Sequence, residues 1–221
     1  MTDPSRRLHI LVEGQTEETI ARDVLEPHLS GFGWWISRSI VKTKRPAGGP
    51  AFTGGITSWP RLEREIKLLL RDSSLEILTT LFDFYAFPTD APGMASRPNG
   101  SAIERVTHVE QALFEHFGDS RFLPHLVLHE IETWVFAASV QLGWLFADEA
   151  LASKLQSDVA AAGGPEGIND NPETAPSKRL ARYCDRYIKT QDGPLAVADL
   201  GVARLRQTCP HLDSWLHRLE P

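Results

Sequence analysis

An acidic residue closely follows each of three apolar runs that predict buried strands. These residues are Glu13 after Leu8–Val12, Asp83 after Ile77–Phe82, and Glu130, two positions before Glu132, after Phe122–Leu128. Because ligands of open α/β sheets bind at the carboxyl ends of the strands, we expect these carboxylates to converge. Carboxylate oxygens are preferred ligands of hard cations. The pattern predicts a catalytic site for Mg²⁺ or Mn²⁺ at Glu13, Asp83 and Glu130, with Glu132 as a further catalytic candidate.

Each of these acids also has an alternative role. Glu13 could assist the start of the helix after Gly14, and Asp83 could mark the point where its strand reaches solvent. Glu130 and Glu132 would share one face of an extended chain but diverge if a helix has begun. His129 and Glu130 do not form an HExxH zinc motif, because position 133 is threonine.

Basic residues near the C-terminus are candidates for phosphate contacts. Lys178, Arg182 and Arg186 recur at four-residue spacing on a predicted helix, with Arg179 beside them. Residues 177–221 carry a net charge of +3, whereas the whole chain carries −6. The spacing therefore predicts a phosphate track, with Lys178 also neutralising charge on the reacting phosphate. The alternative is a solvated helix face, which is the commoner origin of such charge runs.

Length and composition restrict the class of protein. The 221 residues fit one large domain, or one domain with a small appendage. Cys184 and Cys209 form neither a disulfide framework nor a zinc motif. Because there is no signal peptide and no apolar run near the roughly 18 residues of a membrane helix, we expect a soluble cytoplasmic protein without a membrane partner.

The elements that must position these residues alternate between strand and helix. The order βαβαβαβ predicts an α/β fold with a mainly parallel sheet of about four strands flanked by helices. We expect this core over residues 1–140 and a helical C-terminal extension, packed on it, over 141–221. A long loop at 86–101 should lie beside the acidic site, and a helix should follow at about 102–117. Gly48, Gly49, Gly54 and Gly55 are not a Walker A loop and favour a flexible hairpin or lid.

Several motifs together resemble an uncharacterised bacterial family, a domain of unknown function. They are Val12-Glu13-Gly14-Gln15-Thr16-Glu17, Leu81-Phe82-Asp83-Phe84-Tyr85 with Pro88-Thr89-Asp90, His129-Glu130-Ile131-Glu132, Ala175-Pro176-Ser177-Lys178-Arg179 and Asp192-Gly193-Pro194. That family is similar to Toprim domains, the fold of topoisomerases, primases and the overcoming-lysogenization-defect (OLD) nucleases. The resemblance implies a Toprim-like fold, a role in phage defence and an ATPase partner.

The Toprim pattern has a glutamate after the first strand and Asp-x-Asp after the third. Glu13 matches the glutamate and Asp83 the first aspartate, but Tyr85 stands at the second. The resemblance therefore implies that Glu130, Glu132 or Asp90 supplies the missing carboxylate, or that the site binds metal weakly or not at all.

The leading functional hypothesis is a Mg²⁺-dependent nuclease that cleaves nucleic-acid phosphodiesters, in the first place those of DNA. A second hypothesis is a catalytically inactive regulatory module that binds an ATPase partner. A third is a metal-dependent enzyme acting on a small phosphorylated compound. A homo-oligomer is compatible with all three.

Overall fold

A computed structural model describes residues 6–42, 56, 58–168 and 173–220. Its strands are β1 (Arg6–Val12), β2 (Trp34–Ile40), β3 (Ile77–Asp83), β4 (Phe122–Leu123) and β5 (Leu126–Val127). Its helices are α1 (Gln15–Ile20), α2 (Glu26–Ser30), α3 (Trp59–Leu69), α4 (Ala102–Phe117), α5 (Glu132–Ala137), α6 (Ser139–Phe146), α7 (Glu149–Ala162), α8 (Pro176–Tyr183), α9 (Asp192–Leu200), α10 (Val202–Thr208) and α11 (Pro210–Leu219). The predicted glycine hairpin or lid lies outside the described residues.

The chain divides into two compact units. The first contains Met1–Glu18 and Gly33–Leu126, and the second contains Thr19–Phe32 and Val127–Pro221. The first unit holds most of the sheet, and the second is mainly helical. The expected α/β class, with a parallel sheet, flanking helices and a helical C-terminal region, is confirmed.

A parallel sheet forms the centre of the first unit. Its strands lie in the order β2-β1-β3-β4, and β5 also pairs with β3. Val12 at the end of β1 pairs in register with Ile40 of β2 on one side and Leu81 of β3 on the other. In β1 the side chains of Leu8, Ile10 and Leu11 are fully buried, as a central parallel strand covered on both faces requires. The carboxyl ends of β1, β2 and β3 therefore lie at one edge of the sheet.

The fourth predicted strand, Phe122–Leu128, is wrong in its extent. Two separate strands, β4 and β5, occupy this segment, and Pro124 and His125 lie between them. Proline has no backbone N–H to donate to a neighbouring strand, so a continuous ladder cannot pass through it. Thr80 replaces part of that ladder, because its hydroxyl bonds both the backbone oxygen and the backbone nitrogen of His125.

Local sequence signals define the helices of the first unit. In α4 the side chain of Ser101 accepts from the backbone of Glu104 while the Glu104 carboxylate accepts from the backbone of Ser101, a complete capping box. The helix ends at Gly118, whose φ of +60° is left-handed. The prediction of a helix at 102–117 is confirmed. Helix α3 buries Trp59, Leu62 and Ile66 along one face.

The second unit buries apolar faces of short helices against one another. Its fully buried residues include Leu142, Leu155, Leu180, Val197 and Leu216. Both cysteines are buried and unbridged, which agrees with the predicted lack of a disulfide framework. Within the part of the chain that the structure describes, none of the helices has the length and apolar character to cross a membrane.

Candidate metal site and its surroundings

Glu13 and Asp83 lie together in the first unit. Glu13 directly follows β1, and its backbone N–H donates to the oxygen of Leu81 at 3.3 Å. The backbone N–H of Asp83, the last residue of β3, donates to Oε2 of Glu13 at 3.1 Å. This bond holds the Glu13 carboxylate against the end of the neighbouring strand. Both acids are part-exposed.

The sheet order makes this edge a favoured place for a ligand. After β1 the chain enters β2 on one side, and it then returns to β3 on the opposite side of β1. Ligands of open α/β sheets bind where the strand order reverses in this way, outside the carboxyl ends of the strands. Glu13 and Asp83 flank this point. Their convergence follows from the parallel register of β1 and β3.

The segment after Asp83 turns sharply. Ala86 has a φ of +60°, a left-handed conformation that is uncommon for residues other than glycine. Tyr85, in the position of the second Toprim aspartate, is part-exposed, and Asp90 is exposed further along the loop. The predicted irregular segment between β3 and α4 is confirmed. Asp90 as a replacement carboxylate stays a prediction.

Glu130 belongs to the second unit, where it organises the start of α8. The backbone N–H of Ser177 donates to Oε2 of Glu130 at 2.8 Å, and the Ser177 hydroxyl donates to Oε1 at 2.9 Å. The N-cap position of α8 is Ala175, so Ser177 lies within the first turn of the helix. The distant Glu130 carboxylate satisfies a backbone donor of the first turn. Glu130 is buried, and this contact compensates part of its loss of hydration.

Glu132 is fully buried and pairs with a lysine of the same unit. The Lys189 ammonium donates a hydrogen bond to Oε2 at 3.1 Å. It also lies 2.9 Å from Oε1, an ion-pair contact that lacks hydrogen-bond geometry. Burial raises the pKa of Glu132 to about 7, although the Lys189 charge opposes that shift. Glu132 is the first residue of α5. Glu130 therefore precedes the helix and Glu132 begins it. The alternative in which both share one face of an extended chain is wrong.

No local sequence signal connects Lys189 and Ser177 to these acids. They lie 57 and 47 positions away from their partners. A related contact involves Gly193 of the Asp-Gly-Pro motif, where an added Cβ would lie 2.5 Å from the Tyr187 hydroxyl. Burial also raises the pKa of Tyr187, and the charge of Glu132 adds to that rise. Gly193 therefore leaves room for the Tyr187 hydroxyl, and the charge of Glu132 acts on that group.

The predicted basic stripe is only partly helical. Helix α8 ends at Tyr183, so Arg186 lies beyond it and cannot continue the row of Lys178 and Arg182. Arg179 pairs with Asp158 at 3.0 Å. Arg182 and Arg186 donate to the backbone oxygens of Glu173 and Phe146, respectively.

The structure thus brings Glu13 and Asp83 together in one unit and places Glu130, Glu132 and the basic candidates in the other. A family model described as Domain of unknown function (DUF4276) matches residues 12–220, a range that contains all of these residues. No curated protein and no solved structure matches the chain.

Proposed function

Since the chain belongs to this family, Domain of unknown function (DUF4276), whose description assigns no activity, we propose from the site itself that it is a Mg²⁺-dependent nuclease acting on nucleic-acid phosphodiesters. The observation that carries the proposal is the hydrogen-bonded placement of Glu13 beside Asp83 at the switch point of a parallel sheet. Membership of an uncharacterised family was expected from the motifs. The relationship to Toprim domains is part of the proposal.

The chemistry of Glu13 and Asp83 fits a hard divalent cation. Both side chains offer carboxylate oxygens, and both are part-exposed, so a hydrated ion can reach them. Glu13 and Asp83 would hold the metal. When bound, Mg²⁺ supplies Lewis-acid polarisation of a phosphoryl oxygen and a more acidic bound water.

The protein's own groups supply orientation and charge. The Asp83 N–H fixes one Glu13 oxygen, which limits the orientations of that carboxylate. Lys178 is exposed and belongs to the second unit, so its predicted part in neutralising phosphate charge stays a prediction. Glu130 or Glu132 as a third metal ligand stays a prediction, because the contacts seen for them are those to Ser177 and Lys189.

Two measurements on the purified protein test the proposal. Calorimetric titration with Mn²⁺ should show a bound ion, and the protein should nick supercoiled plasmid DNA with Mg²⁺ or Mn²⁺ but not with EDTA. If purified protein neither binds Mn²⁺ nor cleaves DNA or single-stranded RNA, the nuclease proposal is rejected.

A second candidate function is a regulatory module without catalysis. The observation that favours it is Tyr85, which removes one carboxylate from the edge where Glu13 and Asp83 lie. Such a module would bind a partner, an ATPase being the class that the resemblance implies. Metal binding without nicking, together with a change in an ATPase's turnover on mixing, would favour this function over the nuclease.

A further inference from the structure

The loop between β3 and α4 lines a polar cavity in the first unit that is open to solvent. Its volume is about 440 Å³, and its lining includes Arg97, Asn99, Gly100 and Arg105. The loop begins directly after Asp83 at the candidate metal site. This volume is in the range of sites that bind small ligands, and two arginines line the wall.

The loop is fixed against α4, so the cavity is built before any ligand arrives. Gly93 has a φ of +81°, and an added Cβ would lie 2.8 Å from the Cβ of Ala112 and 3.1 Å from the Cα of Val109. The hydroxyl of Ser96 bonds Nε2 of His108 at 2.9 Å. Close packing and a hydrogen bond therefore hold the loop at two points along the helix.

Arg97 is held in place through part of its guanidinium. Its Nε donates to the backbone oxygen of Met94 at 2.9 Å. Its guanidinium carbon lies 5.8 Å from the centroid of the Phe84 ring, and Phe84 directly follows Asp83. The remaining donors of Arg97 have no carboxylate partner among the described residues. A guanidinium fixed by its Nε and still carrying unpaired donors is suited to bind an oxyanion.

Arg105 carries a buried donor. Its Nε is inaccessible to solvent and has no hydrogen-bond partner among the described residues. Because solvent cannot reach this Nε, a ligand oxygen cannot reach it either, and a bound anion would contact the other guanidinium nitrogens of Arg105, which lines the cavity. The adjoining acid, Glu104, accepts instead from the backbone and hydroxyl of Ser101 at 2.7 and 2.8 Å. Those bonds lower the pKa of Glu104, and its charge serves the helix cap.

From this arrangement we infer that the cavity binds a dianionic phosphate group, that is, a phosphate monoester. Two guanidinium groups match a double negative charge, whereas one carboxylate ligand would leave the second guanidinium unneutralised. The phosphate could belong to the end of a nucleic-acid strand or to a free nucleotide. Its assignment to a strand end rests on the proposed nuclease function, but the binding of a phosphate monoester does not.

The test is direct binding in EDTA, where metal and cleavage play no part. Fluorescence anisotropy compares a short single-stranded DNA bearing a 5′-phosphate with the same strand bearing a 5′-hydroxyl. Calorimetry compares adenosine 5′-monophosphate with adenosine. Arg97→Gln and Arg105→Gln should each weaken binding of the phosphorylated ligand by about tenfold or more, and the weaker binding of the hydroxyl form should not change.

The matched control is Arg64→Gln, because Arg64 is an exposed arginine of α3 without a carboxylate partner among the described residues. Arg97 is exposed, so Arg97→Gln keeps the test informative even if Arg105→Gln lowers stability. Loss of phosphate-dependent binding in Arg97→Gln, but not in Arg64→Gln, supports the inference.

Two further outcomes separate this inference from the nuclease proposal. If only the nucleotide depends on Arg97, the phosphate site stands and the strand-end assignment is rejected. If the wild-type protein cleaves DNA yet binds phosphorylated and hydroxyl ligands equally, the inference fails and the nuclease function does not.

Discussion

Two pairs of acidic residues, Glu13 with Asp83 and Glu130 with Glu132, follow similar apolar runs but differ in what their carboxylates contact. In the first unit, the Glu13 carboxylate accepts a hydrogen bond from the backbone N–H of Asp83, its predicted partner in metal binding. In the second unit, Glu130 accepts two hydrogen bonds from Ser177, and Glu132 pairs with Lys189.

The difference shows that a carboxylate's partners are more informative than its position after a strand. Side-chain cations and helix-terminal donors already compensate Glu130 and Glu132, so a metal would have to compete with them. Glu13 and Asp83 are more exposed and lie at the switch point of the sheet. Chemistry is therefore expected from the first pair, and stability from the second.

The largest expected effect is on cleavage. Asp83→Asn keeps the shape of the side chain and removes its charge, so divalent-dependent nicking should fall by more than about 100-fold, since loss of a second-shell partner alone costs about 10–100-fold at metal sites. Thermal stability should stay unchanged or rise slightly, because the repulsion from Glu13 is relieved. Plasmid nicking and a melting curve measure both.

Glu115→Gln is the matched control, because Glu115 is an exposed acid of α4 in the same unit and is no candidate for the site. It should nick at the wild-type rate. Should Asp90→Asn abolish nicking as well, Asp90 is the replacement for the second Toprim aspartate. An undiminished rate in Asp83→Asn would remove the metal site from this edge of the sheet.

The second effect is on stability. Glu130→Ala removes the acceptor of two hydrogen bonds from Ser177, and each such bond to a charged group contributes about 1.5–3 kcal/mol. The free energy of unfolding should therefore fall by about 4 kcal/mol. Glu13→Ala, which loses the part-exposed bond from the Asp83 backbone, should cost about 1 kcal/mol. Urea denaturation compares the two, and equal losses would contradict the division of roles.

A double-mutant cycle with Ser177→Ala isolates the pair. Ser177→Ala should cost less than Glu130→Ala, because the alanine backbone N–H can still donate to the carboxylate. The two changes should be clearly non-additive, as expected of residues in one hydrogen-bond network.

The third effect depends on pH. The pKa of Glu132 rises from 4.5 to about 7 on folding, so the folded protein holds a proton that the unfolded chain releases. The unfolding free energy should therefore fall as pH rises from about 4.5 to about 7, by at most about 3 kcal/mol. Glu132→Gln cannot ionise and should lack this fall. Denaturation of both proteins at pH 5 and pH 7.5 measures it, and parallel pH profiles would contradict it.

Local signals made part of the fold predictable. Ser101 with Glu104 and Gly118 define both ends of α4 within a few residues of sequence, which is why that helix was predicted with its observed bounds. Pro124 carries an equally local signal, because its missing backbone donor is incompatible with the continuous fourth strand that the apolar run predicts.

Contacts between residues far apart in the chain were not predictable. Nothing near Glu132 in sequence identifies Lys189 as its partner, because the pairing depends on how the helices of the second unit pack. The end of α8 at Tyr183 likewise has no glycine or proline to announce it, so Arg186 was placed on a helix that does not reach it. Glu13 and Asp83 could be paired because parallel strand ends lie at one edge of a sheet.

The smallest expected effect concerns the basic residues around α8. If the first pair of acids carries the chemistry, the role left for the basic residues is the sequence-independent part of nucleic-acid binding. These basic residues are Lys178, Arg182 and Arg186. None of the three pairs with a carboxylate of the described residues, so their charges remain available to phosphates. Replacing all three by Gln should weaken duplex DNA binding equally for all sequences, by only several-fold near about 0.5 M salt and by more as the salt concentration falls. The slope of log K against log salt should flatten by about two to three units, since each lost phosphate contact removes about 0.9.

Two matched variants make this result decisive. Arg204→Gln with Arg218→Gln removes two exposed charges elsewhere in the same unit and should leave the slope nearly unchanged. Arg179→Gln breaks the pair with Asp158 and should lower the melting temperature with little effect on the slope, because that charge is already compensated. If the triple variant instead loses stability and keeps the wild-type slope, these residues are structural. In that case the phosphate contacts are expected elsewhere, with Arg97 and Arg105 of the first unit as candidates.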